Sequence, residues 1–241
     1  MNRIIKHILI FIIVIFSCNN TVKAETLNEY NYETLSNKAL AEAEAGDYAE
    51  ALYYYNKLVE ESNGIYLNAA AYCLRGYFFL YNLLNFDKAI ADANSAISID
   101  SQSQPAYLLR SLSRAEKNDL DGAILDAKRA IDIKPDDDLC YLIRSRLYLL
   151  NKNFELAIKD ATTSIKLKCK NPSAFYYRGL AKYEISLRTY KKDKQKAINL
   201  LKSSLQDLSY SKEQSLQMHN LEQYNMSINL YNKAKRFMNI L

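Results

Sequence analysis

Four arginines, Arg75, Arg110, Arg144 and Arg178, stand at intervals of 35, 34 and 34 residues. Three aspartates, Asp92, Asp126 and Asp160, recur at a spacing of 34. A guanidinium is a planar fork of donors that grips carboxylates and phosphates alike. Such a row therefore invites two chemistries, a ladder for a phosphorylated ligand or a series of internal ion pairs. The shared period of acid and base favours the second. Each arginine then pairs with the aspartate of its own repeat or of the next, inside helix interfaces whose register the pair fixes. Little else in the chain could do chemistry. Beyond residue 24 the single histidine is His219, with no nucleophile–base set or glycine-rich loop beside it. Cys73, Cys140 and Cys169 form no C-x-x-C pair and have no histidine nearby, so no metal is expected. Catalytic residues, metals and cofactors are all expected to be absent, and an enzyme is excluded on those grounds.

The segments that must position these residues repeat as well. Ala71-Tyr-Cys-Leu-Arg-Gly76, Ala106-Tyr-Leu-Leu-Arg-Ser111, Cys140-Tyr-Leu-Ile-Arg-Ser145 and Ala174-Phe-Tyr-Tyr-Arg-Gly179 lie under one another. A second motif follows in phase: Phe86-Asp-Lys-Ala-Ile-Ala-Asp92, Leu120-Asp-Gly-Ala-Ile-Leu-Asp126 and Phe154-Glu-Leu-Ala-Ile-Lys-Asp160. Tyr48-Ala-Glu-Ala-Leu52 is an earlier copy and Gln195-Lys-Ala-Ile198 a degenerate later one. With 5 Gly, 3 Pro and no Trp, the chain lacks the turn residues of a β protein, and helices with brief connections fit it.

The two motifs in phase resemble the tetratricopeptide repeat family, whose unit is a helix–turn–helix of about 34 residues. The resemblance spans residues 32–209 and implies an all-α, right-handed α-solenoid of about five repeats with a C-terminal capping helix. Its repeats are expected at 32–64, 69–102, 104–136, 138–171 and 172–209, the fifth carrying a basic insertion at 186–196. Tyr72, Tyr107, Tyr141 and Phe175 stand where the family has its first-helix tryptophan. Pro105, Pro135 and Pro172 fall between repeats, where a missing N–H is tolerated. Gly76, Ser111, Ser145 and Gly179 are small where the two helices of a repeat cross. Ala89, Ala123 and Ala157 answer from the second helix, with Ala96 and Ala130 further along. Residues 210–241 leave the motif, yet Leu221, Tyr224, Ile228, Tyr231 and Met238 keep a helical spacing, as a capping helix or a partner-binding tail would. The repeat also places Cys140 and Cys169 at one end of the fold, so a disulfide between them is one reading of the pair.

The resemblance further implies a concave partner groove lined by the first helices. Its positions map to Tyr77, Leu80, Tyr81, Leu108, Leu112, Glu116, Leu142, Arg146, Leu149, Tyr176, Leu180, Tyr183 and Glu184. About a third of these are expected to pack between helices instead. An apolar, tyrosine-bearing hollow with isolated charges suits an extended peptide or a helix of another protein. The family's two-carboxylate clamp for chaperone tails is missing, because Ser36, Leu40, Cys73 and Tyr77 occupy its places.

Arg3 and Lys6 precede the apolar run Ile8 to Phe16, the pattern of an export signal over residues 1–24. Val22-Lys23-Ala24 fits ordinary signal peptidase and soluble release. Ser17-Cys18 after Ile15-Phe16 resembles a lipobox, with Cys18 lipidated as a membrane anchor. Removing Arg3, Lys6 and Lys23 lowers the net charge from +5 to +2, too little for a field that recruits nucleic acid. The charge is uneven, with nine acids against Lys38 and Lys57 from Glu25 to Glu61, and a basic stretch from Arg188 to Lys202. The expected function is an exported protein–protein interaction scaffold, periplasmic or envelope-associated. The alternative is a secreted adaptor that binds a host protein.

Overall fold

A computed structural model describes residues 26–62, 65–167 and 171–241, and every described element is a helix or a turn. The export signal with Cys18 and the cysteine at 169 lie outside the described residues. Eleven helices follow in order: α1 (Thr26–Ala45), α2 (Tyr48–Glu61), α3 (Ile65–Tyr81), α4 (Phe86–Ile99), α5 (Gln104–Glu116), α6 (Leu120–Ile133), α7 (Asp138–Leu150), α8 (Phe154–Leu167), α9 (Pro172–Thr189), α10 (Lys194–Gln217) and α11 (Leu221–Ile240). They divide between Pro135 and Asp136 into two compact units. In the first, α1 packs on α2, α3 on α4 and α5 on α6, and each pair rests on the one before it. In the second, α7 packs on α8 and α9 on α10, and α11 lies against α9 and α10. Among the described residues the helices thus form five pairs and a terminal helix, the all-α architecture expected of the repeat.

One turn device recurs inside the pairs. A residue in the left-handed region ends the first helix: Gly46 (φ 89°), Leu84 (51°), Asn118 (62°) and Lys152 (57°). Next comes Asp47, Asn85, Asp119 or Asn153. The side chains of Asp47, Asn85 and Asp119 accept the N–H three residues on, satisfying donors that open the second helix. His219 (φ 54°) and Asn220 repeat the device between α10 and α11. Pro105 and Pro172 sit in the first turns of α5 and α9, as their fixed φ allows.

The pairs close on small residues. Ala89, Ala96, Ala123, Ala130 and Ala157 are fully buried. Close approach leaves no room at Gly76, where an added Cβ would meet Leu109 Cδ2 at 2.4 Å. Where the small residue is serine it also bonds: Ser111 Oγ donates to the Ala123 carbonyl oxygen at 2.7 Å and Ser145 Oγ to that of Ala157 at 2.9 Å. Phe86 and Ile97 fill the flanks, half-buried. Among the described residues no helix is long and apolar enough to cross a membrane.

The fifth pair is longer than the others. α7 and α8 have 13 and 14 residues, whereas α9 has 18 and α10 has 24. The basic insertion at 186–196 is therefore mostly helix and not a long loop, since only residues 190–193 separate α9 from α10. The repeat boundary expected at 209 falls inside α10, which continues to Gln217.

Candidate interaction surface

Each arginine of the ladder pairs with an aspartate of its own repeat. Arg75 Nε and Nη2 donate to the two carboxylate oxygens of Asp92 at 2.9 and 2.7 Å. Arg110 grips Asp126 in the same way at 2.9 and 2.7 Å, and Arg144 grips Asp160 at 2.6 and 3.0 Å. The aspartates are buried and the arginines half-buried. Each guanidinium also lies over the aromatic ring three residues earlier, Tyr72, Tyr107, Tyr141 or Phe175, within 5.4 to 5.8 Å. That ring stands at the family's tryptophan position, so the substitution by Tyr or Phe keeps a face for the cation. Hydrogen bonding to Asp92 holds Arg75 above its ordinary pKa, against a smaller opposing effect of burial. Burial works against the charge of Arg144, but its hydrogen bonds to Asp160 leave it raised as well.

Two features of the ladder escape sequence reasoning. The third guanidinium nitrogen reaches back to the preceding repeat: Arg75 Nη1 to Asn56 Oδ1 at 3.0 Å, Arg110 Nη1 to Asn94 Oδ1 at 2.8 Å and Arg178 Nη1 to Thr162 Oγ1 at 3.4 Å. Some carboxylates hold two cations. Arg114 Nη1 joins Arg110 on Asp126 at 2.7 Å, and Lys182 Nζ joins Arg178 on Asp207 at 2.6 Å. With Nε and Nη2 of each guanidinium committed to an aspartate, that fork is not free for a phosphate.

Arg178 finds its carboxylate in Asp207, at 2.9 and 2.6 Å, which the 34-residue count does not reach. Both helices of the fifth pair are extended, so the matching register in α10 lies seven residues beyond the Gln195-Lys-Ala-Ile198 copy. Ser204 and Asp207 there do the work of Ala157 and Asp160. Ser204 Oγ donates to the Gly179 carbonyl oxygen at 2.7 Å, and a Cβ on Gly179 would meet Leu208 Cγ at 2.9 Å. A small residue three before an aspartate was the available signal.

The thirteen mapped groove positions separate into three groups. Tyr77, Leu80, Leu108 and Leu142 are buried between helices and belong to the core, which corrects their assignment as ligand contacts. Tyr176, Leu180 and Tyr183 on α9 pack against a cluster of Leu201 and Leu208 from α10 with Leu230 and Ala234 from α11, and the Tyr183 ring meets that of Phe237 edge to face. Burial pushes the Tyr176 and Tyr183 hydroxyls above their ordinary range. The other six are Tyr81, Leu112 and Glu116 in the first unit, where Tyr81 and Leu112 pack against its core, and Arg146, Leu149 and Glu184 in the second, where Leu149 packs beside Phe154 and Ala157. Glu116 and Arg146 are exposed and the other four half-buried.

α11 meets the last pair through polar contacts too. Ser173 Oγ donates to Gln223 Oε1 at 3.0 Å, and Ser211 Oγ donates to the Pro172 carbonyl oxygen at 2.7 Å while lying 2.9 Å from Ser227 Oγ. Leu221, expected on the apolar face of this helix, is 62% exposed, and the packed face is that of Leu230, Tyr231, Ala234 and Phe237. Cys73 and Cys140 are buried. Among the described residues no cluster of His, Cys, Asp and Glu could hold a metal ion.

No family model and no curated protein matches the chain. Solved structures do. A thermophilic TPR protein of Thermus thermophilus is 15% identical, with a TM-score of 0.62 over 82% of this chain and 98% of that one. MamA is 19% identical, with a TM-score of 0.57 over 73% of this chain and 96% of its own. YrrB, described as a TPR protein with an unusual peptide-binding site, is 16% identical, with a TM-score of 0.52 over 72% of this chain and 84% of its own. Identities this low speak for architecture alone, and the architecture they share with this chain is the tetratricopeptide-type stack of antiparallel helix pairs.

Proposed function

We propose that the chain is an exported protein–protein interaction scaffold, periplasmic or envelope-associated, that seats a peptide or a helix of a partner protein on its first helices. The observation that carries this reading is a partly exposed face of the first unit. Tyr81 and Leu112 give half-buried apolar footing on α3 and α5, and α5 also carries the exposed Glu116. Footing of that kind supplies affinity through buried area and register through charge. The ladder is consumed by the fold, so the chain acts by binding and not by catalysis. The fold shared with a peptide-binding TPR protein supports the same reading. Export rests on Arg3, Lys6 and the apolar run after them, with release after Ala24 or lipid attachment at Cys18 as the two products.

The test places a photoreactive amino acid at 112 or 125 in producing cells, which are then fractionated. Leu125 is 66% exposed on the second helix of its pair and serves as the control position. Crosslinks to one protein from 112 but not from 125, in the envelope fraction, are expected. Tyr81→Ala should abolish the crosslink from 112 at unchanged helical content. Equal labelling from 125 would move the binding face, and an uncleaved N-terminus on cytosolic protein would remove the export. Recovery of the crosslinked partner from the medium or a host cell would favour the secreted adaptor.

A further inference from the structure

The two units carry opposite charge. From Thr26 to Pro135 there are 16 acids and 10 bases, a net −6, and from Asp136 to Leu241 there are 10 acids and 19 bases, a net +9. The imbalance is concentrated at two places. Helices α1 and α2 with Asp47 between them hold eight acids against Lys38 and Lys57, which is the whole excess of the first unit. Glu33, Glu44, Glu50 and Glu60 among these are exposed. The end of α9 and the start of α10 hold six cations from Arg188 to Lys202 against Asp193 alone. That aspartate is already used as an N-cap, accepting from the Lys196 N–H.

The geometry of the basic end sets it apart from a charged stretch on an ordinary helix. Beyond their ladder residues, α7 runs six residues to Leu150 and α9 runs eleven from Arg178 to Thr189. α10 begins thirteen residues before Asp207, whereas α8 begins six before Asp160. At 1.5 Å per residue the α9–α10 hairpin therefore projects about 7 to 10 Å past the level of the neighbouring pair. Arg188 turns back, its guanidinium 4.3 Å from the centre of the Phe154 ring. Lys191, Lys192, Lys194 and Lys196 are left exposed around the tip. Elsewhere in the second unit Asp160 and Asp207 are internally paired with Arg144 and with Arg178 and Lys182. The tip is a cationic knob held out on rigid helices.

We infer that this knob docks on the acidic α1–α2 pair of a second copy of the same chain. This goes beyond the groove reading and does not depend on it. A second copy carries the complement at equal abundance, and four lysines on a narrow hairpin are opposite in sign to Glu33, Glu44, Glu50 and Glu60 on one helix pair. The contact is heterologous, an acidic end on a basic end, so it adds copies head to tail or closes in a ring. Such a contact is steered by charge and weakened by salt.

The test is sedimentation equilibrium of the full chain at matched concentration. Every variant keeps residues 1–25, so association through the apolar run is common to all, and only the salt- and charge-dependent part counts. The weight-average mass should rise at least about twofold on lowering salt from about 1 M, where charges are screened beyond roughly 3 Å, to about 0.1 M, where they reach roughly 10 Å. Lys191→Glu/Lys192→Glu/Lys196→Glu should remove that rise, and so should Glu33→Lys/Glu44→Lys/Glu60→Lys. Mixing the two variants restores opposite charge between copies and should bring the rise back. A mass independent of salt, or a rise that survives either triple reversal, overturns the inference. So does failure of the mixture to associate while both variants keep their helical content. Salt-sensitive flotation with anionic vesicles by a chain that stays monomeric also overturns it, and assigns the knob to a lipid surface.

Discussion

Replacing Arg144 with alanine should cost far more stability than replacing Arg110, although the two residues occupy the same place in neighbouring repeats. Arg144→Ala takes both charge-assisted hydrogen bonds, at 2.6 and 3.0 Å, from a carboxylate whose side chain is only 4% exposed. Four residues after Arg144 stands Tyr148, which cannot replace the lost charge. A buried carboxylate without its cation costs about 3 to 5 kcal/mol. Stacking of the guanidinium over Tyr141 and Tyr148 disappears with it, adding roughly 0.5 to 1 kcal/mol. In Arg110→Ala the Asp126 carboxylate keeps Arg114 Nη1 at 2.7 Å. One charged hydrogen bond there remains, so the expected cost falls to about 1 to 2 kcal/mol. Urea titrations of the two variants and the parent, followed by far-ultraviolet circular dichroism, compare them directly. Because repeat arrays can melt in parts, amide exchange in α7 and α8 should report the Arg144→Ala loss locally. Equal costs, or a larger one for Arg110→Ala, would refute the idea that the second cation carries the difference.

Three further outcomes follow from features of single positions. Burial, with Glu44 adding to it, pushes the Tyr55 hydroxyl well above its ordinary value of 10.0. Below that value both folded and unfolded chains keep the proton. Above it the unfolded chain gives the proton up more readily, so stability falls as pH rises; tyrosinate absorbance should appear together with helix loss, and Tyr55→Phe should flatten the dependence. Gly179→Ala should destabilise by about 1 kcal/mol, the clash with Leu208 outweighing a similar gain in helix propensity, as a lowered urea midpoint would show. Leu84→Asn and Lys152→Asn should each raise the thermal midpoint, relieving up to about 1 kcal/mol of left-handed strain by adopting the residue that Asn118 already provides.

The helix pairs were legible in the sequence because two motifs kept phase at one period, and each motif residue has one packing duty. Gly76 and Ala89, or Ser111 and Ala123, announce a helix crossing before any coordinate is known. The count failed where the period did. Once α9 and α10 lengthen, a fixed spacing points to Ala197 and its neighbours, while the crossing has moved to Ser204 and the carboxylate to Asp207. The interaction surface was less legible for a different reason. Position in the motif says which helix face Tyr77, Leu108 or Leu142 occupies, but not how deeply the next helix sinks over it. The packing of Tyr183 on Phe237 is a long-range contact with α11, whose sequence lacks the motif. Leu221 misled for the same cause, since a helical stripe fixes a side of a helix and not its tilt against a neighbour.

The backward reach of the arginines bears on how such a chain can grow. The segment of Arg75 brings its own arginine, its own aspartate and, two places after that, Asn94, which receives the next arginine, whereas Lys128 and Thr162 stand at the same place in the two segments that follow. A tandem copy of that segment therefore arrives with both halves of its joint already made. Gene duplication could lengthen or shorten the array without inventing a new contact, and later drift could rewrite the exposed faces while the joints stay as they are.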